Sequence, residues 1–435
     1  MALPRRIGLV VWGSLGDLHP FIAVALQLRA LGLEPVIATH AEYRPKIEAE
    51  GILFHPVRPS FDDIERAFGA SRSEITELLL RKPLWLYQKA IFPFLRQSFE
   101  DVSLLLQHTR CLVTSSPAIG ARIAAEVHAT PWLAGVLQPM MFLSAYDPPA
   151  LLPVEWLEPW LRRAGPRVTR AALTGLRLLM NRVARPVHEF RREVGLPPSA
   201  GDPVFAGQYS AGGAVALYSP VIGAGQPDMP ARTVITGFPF YDSEYGGTRP
   251  VASELEHFLG SGSEPIVFTL GSSFVHSPGS FYQESAAAAR MLGRRAVLLV
   301  GDVGRAEFAS LAAVDVHVGG YAPYSSLFPR AAALVHQGGI GTLGQALRSG
   351  RPQLIVPFFA DQPDNAARAV RLGVARSIGR KRYTSQRTFR ELGLLLSDER
   401  YRARAREVAA IVSAESGAAS AAAHIARWMT GHPAP

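Results

Sequence analysis

The stretch 331–350 constrains the fold more than any other part of the chain. An apolar run at 331–335 predicts a strand, His336 and the glycines after it predict a turn, and the spacing from Thr342 predicts a helix stopped at Gly350. Strand, glycine turn and helix in this order form the repeating unit of a parallel α/β sheet. Glycines let backbone N–H groups come close to a ligand, and a helix start adds unpaired donors and a partial positive charge. A phosphate fits that geometry. The same residues also suit a plain tight βα turn.

The same pattern recurs along the chain. A β-branched run at 6–12 leads into the loop 13–20 and a helical pattern at 21–31, with Pro20 suited to a first helical turn and Gly32 to a stop. Strands are expected at 34–39 and 52–57 with a helix at 41–51 between them, and this βαβαβ order implies a parallel sheet with right-handed crossovers. Residues 61–110 read as mostly helical, broken at Pro83 and Pro93. Strands follow at 111–116, 132–137, 214–219 and 233–238, with a helix at 117–129. Residues 239–250 are rich in Gly, Pro and Tyr and read as a linker. Beyond it, strands are expected at 265–270, 295–300, 314–318, 331–335 and 353–358. Helices are expected at 279–293, 363–372, 385–397, 399–414 and 417–430. The fold class is α/β, with two doubly wound parallel-sheet domains at 1–238 and 251–415 and a final segment at 416–435.

Composition narrows what such a chain does. At 435 residues, 48% hydrophobic and 19% charged, it can bury two large cores. No run of about 18 apolar residues suggests a spanning helix, and the first twelve residues lack a signal-length apolar region. A cytoplasmic protein is expected. The single cysteine, Cys111, lies in an apolar run and reads as a buried small hydrophobe. The net charge of +9 points to an anionic substrate or an anionic membrane surface. No motif supports nucleic-acid binding. In 156–192, Trp and Leu alternate with arginines at helical spacing. That segment either packs on its own domain with the arginines in solvent, or rests on anionic lipid.

Ligands of open α/β sheets bind beyond the carboxyl ends of the strands. Four loops at such ends carry polar residues or glycines: 13–20, 271–273, 336–342 and 361–365. Ser272, Ser273, His336, Gly338, Gly339 and Thr342 offer donors suited to a diphosphate. Asp361 and Gln362 are of the kind that hold sugar hydroxyls, and equally of the kind that cap helices. No Walker sequence, G-x-G-x-x-G fingerprint, D-x-D pair or His/Cys cluster is present, so neither a metal nor a cofactor is expected.

These motifs together resemble the family 1 GT-B nucleotide-sugar glycosyltransferases over nearly the whole chain. The resemblance rests on Gly13-Ser14-x-Gly16-Asp17-x-x-Pro20, His336-x-Gly338-Gly339-x-Gly341-Thr342 and Asp361-Gln362. It extends to Ile119–Ala124, Thr236-Gly237-Phe238-Pro239 and Phe268-Thr269-x-Gly271-Ser272. Bacterial rhamnosyltransferases and macrolide, sterol and flavonoid glycosyltransferases are similar. The resemblance implies a UDP- or dTDP-sugar donor held by the second domain and a hydrophobic hydroxyl-bearing acceptor held by the first. A base in the first loop takes the acceptor proton, and the anomeric configuration inverts. Asp17 stands at that position, with His19 as competitor and a helix-capping role as the bland alternative for Asp17. His336, Gly338, Gly339, Thr342, Ser272 and Ser273 would meet the diphosphate, and Asp361 and Gln362 the sugar. Tyr321 stands where the family has a base-stacking Trp, Tyr324 where it has a Gln, and Gly344 where it has a ribose-binding Glu, with Gln345 as the expected substitute. These departures leave UDP and dTDP both open. The terminal helix would pack back on the first domain. A phosphorylase of related architecture needs a Schiff-base lysine, and after Lys89 the chain has only Lys381, outside every motif. A non-catalytic basic protein binding lipid or nucleotide sugar is the alternative function.

Overall fold

The computed structural model describes residues 6–431 except 83, 152, 200, 244, 245, 248 and 249, together with the side chains of all described residues but 273 and 303. The expected break at Pro83, part of the linker and the side chain of Ser273 therefore lie outside the described residues.

Two all-parallel sheets organise the chain. The first holds β1 (Arg6–Val10), β2 (Glu34–Thr39), β3 (Leu53–Pro56), β4 (Cys111–Ser115), β5 (Trp132–Val136), β6 (Ala214–Ala216) and β7 (Thr233–Ile235), in the order β3-β2-β1-β4-β5-β6-β7. The second holds β8 (Ile266–Thr269), β9 (Ala296–Leu299), β10 (Val316–Gly319), β11 (Ala333–His336), β12 (Gln353–Ile355) and β13 (Ala375–Ser377), in the order β10-β9-β8-β11-β12-β13. β4 and β8 are buried along their whole length. Helices cover both faces of such strands, which is why they read as unbroken apolar runs. Strand order reverses between β1 and β4 and between β8 and β11, and a crevice opens beyond the strand ends at such points.

Several elements differ from the sequence-based reading. β13 is Ala-Arg-Ser, which has no apolar run to betray it. The single helix expected at 41–51 is a 3-10 turn, Ala41–Tyr43, followed by a short helix, Arg44–Ala49, whose first turn is set by Pro45. β11 runs one residue further than expected, to His336, and the next helix starts at Ile340 rather than Thr342. That shift places the imidazole inside the sheet.

The chain crosses between the two halves twice, and the crossings lie against each other. The first begins after Phe238, in the linker, whose Tyr241 and Gly246 still hydrogen-bond Glu50 of the first half. The second is the break at Glu415–Ser416 between helices Glu399–Ala414 and Gly417–Thr430. A Cβ on Gly417 would stand 2.4 Å from the Phe238 carbonyl oxygen, so only glycine fits. Ser219 Oγ donates to Glu415 Oε1 at 2.5 Å. The helix Gly417–Thr430 then packs on Leu15–Ala30 of the first half, with Ala421, Ala422 and Ile425 fully buried. By length and composition Glu399–Thr430 could cross a membrane. The break divides it into two helices, and the first of them packs on Ile340–Ser349 of the other half.

A buried charge cluster also joins the halves. Arg368, in the helix Gln362–Arg371, pairs with Asp364 at 2.6 Å and with Asp147 of the first half. Arg371 reaches Glu158 at 2.7 Å, and Arg162 reaches Asp147 at 2.9 Å. The Ala150 N–H donates to Asp364 at 3.0 Å.

Candidate active site

A cavity open to solvent lies between the carboxyl ends of the two sheets. Three of the four loops singled out in the sequence line it. They contribute Gly16, His19 and Pro20 from the first half, and Gly271, Ser272, Gly341 and Thr342 from the second. Leu15, Leu137, Leu217, Phe238, Phe240, Val275 and Leu299 make much of the remaining wall apolar. Such a lining suits a lipophilic ligand fixed by a few polar groups.

The first loop is held by a capping box. Ser14 is the N-cap of Leu15–Ala30 and Asp17 is the N3 residue, so Asp17 caps the helix from inside its first turn. Asp17 Oδ2 accepts from the Ser14 N–H at 2.8 Å and from Ser14 Oγ at 3.1 Å. Oδ1 takes no hydrogen bond from another described residue, and Asp17 lies behind Gly16 rather than on the cavity wall itself. Burial raises the Asp17 pKa above the usual carboxylate range, against the lowering effect of the Ser14 hydrogen bonds. His40 fixes the loop from behind. Its Nδ1 lies 2.6 Å from the Pro59 carbonyl, which makes it the donor, and Nε2 accepts from the Gly13 N–H at 3.3 Å. His19 faces the cavity with its ring 4.9 Å from that of Tyr241. Its Nε2 is buried without a hydrogen-bond partner. Burial, and secondarily the charge of Lys46, lowers its pKa to about 3, so the imidazole is neutral near pH 7.

On the opposite side, His336 is not a free donor. It is fully buried; Nε2 lies 3.0 Å from Gln353 Oε1 and Nδ1 accepts from the Gly338 N–H at 3.0 Å. Both nitrogens are committed to the protein, and burial lowers the pKa to about 4. The direct diphosphate contact expected of His336 is corrected to a hold on the glycine turn, because the residue closes the strand. Thr342 is the third residue of its helix, within the first turn, and remains on the cavity wall beside Tyr324, whose hydroxyl lies 2.9 Å from Thr269 Oγ1. Gly339 caps the helix and Gly338 has a φ of 87°, but neither lines the cavity in this structure. Sequence reasoning passed over Gln337. Its amide packs against Gly271 so closely that a Cβ there would meet Nε2 at 2.3 Å, and its Oε1 is buried without a partner.

The fourth loop, 361–365, is turned away from the wall. Gln362 is buried, and its Oε1 accepts from the N–H groups of Phe358 at 2.8 Å and Phe359 at 3.1 Å, stapling the preceding turn. Asp361 Oδ2 accepts from Asn365 Nδ2 at 2.6 Å, and the same Nδ2 donates to the Gly338 carbonyl at 2.9 Å. The sugar-hydroxyl contacts expected of Asp361 and Gln362 are not formed by groups on this wall. Asp361 nevertheless feels the first loop. Burial, then the charge of Asp17, raises its pKa to about 7. The closed interface thus brings a carboxylate from each half into electrostatic contact.

Phe238 and the start of the linker supply a further wall. Phe238, Phe240, Tyr241 and Asp242 line the cavity. Tyr241 hydrogen-bonds Glu50 at 2.5 Å on one side, while Asp242 pairs with Arg348 at 2.7 Å on the other. Gln345 lines the cavity, but its Nε2 donates to Asp242 at 3.0 Å and its Oε1 accepts from Arg348 at 2.8 Å, so the amide is already spoken for. Gly344 has no side chain because the Phe238 ring lies 3.0 Å from where its Cβ would be. Tyr321 is on the wall and partly exposed. In the sequence, Phe238 and Pro239 belong to the stretch Thr236–Pro239 that carries the resemblance, whereas Phe240, Tyr241 and Asp242 were marked by composition alone. Among the described residues, no group of three or more His, Cys, Asp or Glu is placed to hold a metal ion.

Comparison with known proteins agrees with this geometry. Residues 7–144 match the glycosyltransferase family 28 N-terminal domain, and residues 295–426 match the C-terminal domain of erythromycin biosynthesis protein CIII-like proteins. The chain is 32% identical to O-mycaminosyltylonolide 6-deoxyallosyltransferase of Streptomyces fradiae, over 97% of each protein. It is 28% identical to vancomycin aglycone glucosyltransferase of Amycolatopsis orientalis, over 85% of this chain and 84% of that protein. Among solved structures, the glycotransferase of kitacinnamycin superposes with a TM-score of 0.70 at 20% identity, covering 98% of this chain and 99% of that one. Spinosyn rhamnosyltransferase SpnG complexed with thymidine diphosphate gives a TM-score of 0.65 at 17% identity, covering 97% and 99%.

Proposed function

Because the chain belongs to the family 1 GT-B nucleotide-sugar glycosyltransferases, we propose that it moves a hexosyl group from a dTDP- or UDP-sugar to a hydroxyl of a lipophilic natural product, with inversion and without a metal. The observation that carries the reading is the interdomain cavity. It is apolar enough for a macrolide- or sterol-like acceptor, and the start of the helix Ile340–Ser349 forms part of its wall. The 6-deoxyallosyltransferase relative and the thymidine diphosphate of the SpnG structure favour a dTDP-linked 6-deoxyhexose.

In this reading the acceptor hydroxyl gives its proton to Asp17 Oδ1, the oxygen left outside the capping box. Its oxygen bonds to the anomeric carbon as the bond from that carbon to the diphosphate oxygen breaks. The departing charge is met by backbone N–H groups at the helix start and by the Thr342 and Ser272 hydroxyls. His336 acts through the glycine turn. A raised pKa makes Asp17 a stronger base than an ordinary carboxylate. His19, neutral and facing the cavity, orients the acceptor. Asp361 and Asn365 hold the donor loop, and Asp361 meets the sugar when that loop turns toward the cavity. Cys111 is buried and unpaired, which suits a reducing compartment, so we place the reaction in the cytoplasm. The arginine-rich segment 156–192 adds contact with an anionic membrane to that setting.

The test is a matrix of donors (dTDP-rhamnose, dTDP-glucose, UDP-glucose, UDP-GlcNAc) against macrolide aglycones, sterols, flavonoids and hydroxy-fatty-acid lipids. Transfer is expected with a dTDP-6-deoxyhexose and at least one lipophilic acceptor, giving the inverted anomer. Binding of donors without any transfer would favour a non-catalytic binding protein.

A further inference from the structure

We infer that the surface formed by residues 154–182 docks on an anionic phospholipid membrane. The helix Pro166–Val183 buries Thr169, Leu173 and Met180 against its own domain. Its outward face holds an apolar group where a solvated helix would be polar. Leu178 is 62% exposed, and Val168 and Leu179 are also exposed. Beside it, the turn Glu155–Leu157 and the helix Glu158–Ala164 present Trp156 and Trp160 at 69% and 56% exposure. One turn apart, these indoles share a face. Two tryptophans this exposed are costly in water, whereas their amphipathic rings favour the headgroup layer.

Charge selects the partner. From 154 to 182 the chain has six arginines against two glutamates, of which Glu158 is buried in the interdomain cluster and Glu155 is exposed. Arg162 is used in the interdomain cluster and Arg185 pairs with Glu189. Arg163, Arg167, Arg177 and Arg182 are exposed and have no ion-pair partner among the described residues. Exposed apolar groups flanked by unneutralised arginines fit a surface of negative headgroups above hydrocarbon. The docked helix also bears on the site, since Glu158 and Arg162 of Glu158–Ala164 hold Arg371 and Asp147 in the buried cluster. A lipophilic acceptor dissolved in the bilayer would thus meet the enzyme where it is stored.

The test uses the full chain and vesicles of phosphatidylcholine with or without 30% phosphatidylglycerol, about the anionic content at which polybasic segments bind. Sedimentation with the anionic vesicles is expected at low salt, at least about tenfold above the neutral ones, falling away near 1 M salt where screening is short-ranged. Tryptophan emission should shift to the blue on binding. Trp156→Ser with Trp160→Ser should abolish the shift, and R163Q/R167Q/R177Q/R182Q should weaken partitioning at least about tenfold. Circular dichroism and binding of thymidine diphosphate check that both variants are folded. Failure to bind anionic vesicles, or binding by folded variants within twofold of the parent, overturns the proposal and leaves a protein partner as the remaining occupant.

Discussion

Asp17 shows how one residue carries two duties that the sequence could list but not reconcile. Its capping role uses Oδ2 and the proposed base uses Oδ1, so the readings are not exclusive. Asp17→Asn should keep the capping geometry and lower kcat by about 10²- to 10⁴-fold with donor affinity little changed. His19→Ala should raise the acceptor KM more than it lowers kcat. The reverse pattern in steady-state kinetics would move the base to the imidazole. Asp361 provides a pH test. Its folded pKa of about 7 exceeds the unfolded value near 3.9, so the native state holds the extra proton between them. The stability this contributes is present at low pH and is lost as pH rises through about 7. Urea midpoints should therefore fall more steeply between pH 4 and 7 for the parent than for Asp361→Asn. Parallel curves would remove the assignment. His336 and Asp361 were both visible as polar residues at strand ends. Which way each side chain turns was not, because for His336 that depends on Gln353 of the neighbouring strand and for Asp361 on how Asn365 folds back across its own loop.

At the level of elements, the strand–turn–helix units were legible because buried parallel strands require continuous apolar runs and helices require their own spacing. β13 was not, since three residues with an arginine and a serine form a strand only beside β12. The one-residue extension of β11 was hidden for a related reason. Histidine joins a central strand when a neighbouring strand offers it an amide. The crossing at Gly417 is an element-scale constraint that no helical pattern shows. Gly417→Ala should cost about 1–3 kcal/mol by forcing the two crossings apart. An unchanged thermal midpoint would show that the backbone there yields freely. Phe238, against which Gly417 packs, also lines the cavity, so the same change should also alter activity.

At the scale of the whole molecule, the devices that join the two halves include the stacked crossings, the linker hooked to Glu50 and Arg348, the contacts of Ser73 and Glu77 with Ser277 and Arg380, and the buried cluster around Arg368. The cluster is the strongest candidate for fixing the closed arrangement, because Asp364 and Arg368 lie almost entirely out of water. Arg368→Met leaves Asp364 buried with only a backbone N–H and its pairing to Arg368 gone, and should destabilise the protein by about 3–5 kcal/mol in urea unfolding. A loss under about 1 kcal/mol would mean that Arg162 and Arg371 already satisfy the acids. Sequence alone determined the two parallel α/β halves, the linker and the loops that could hold an anion, because each is encoded by local spacing of apolar residues, glycines and caps. Tertiary structure decided which of those loops share a wall, which histidine faces the cavity, and that the linker completes the wall, because these depend on side chains brought together from positions up to hundreds of residues apart, as Asp147 and Arg368 are.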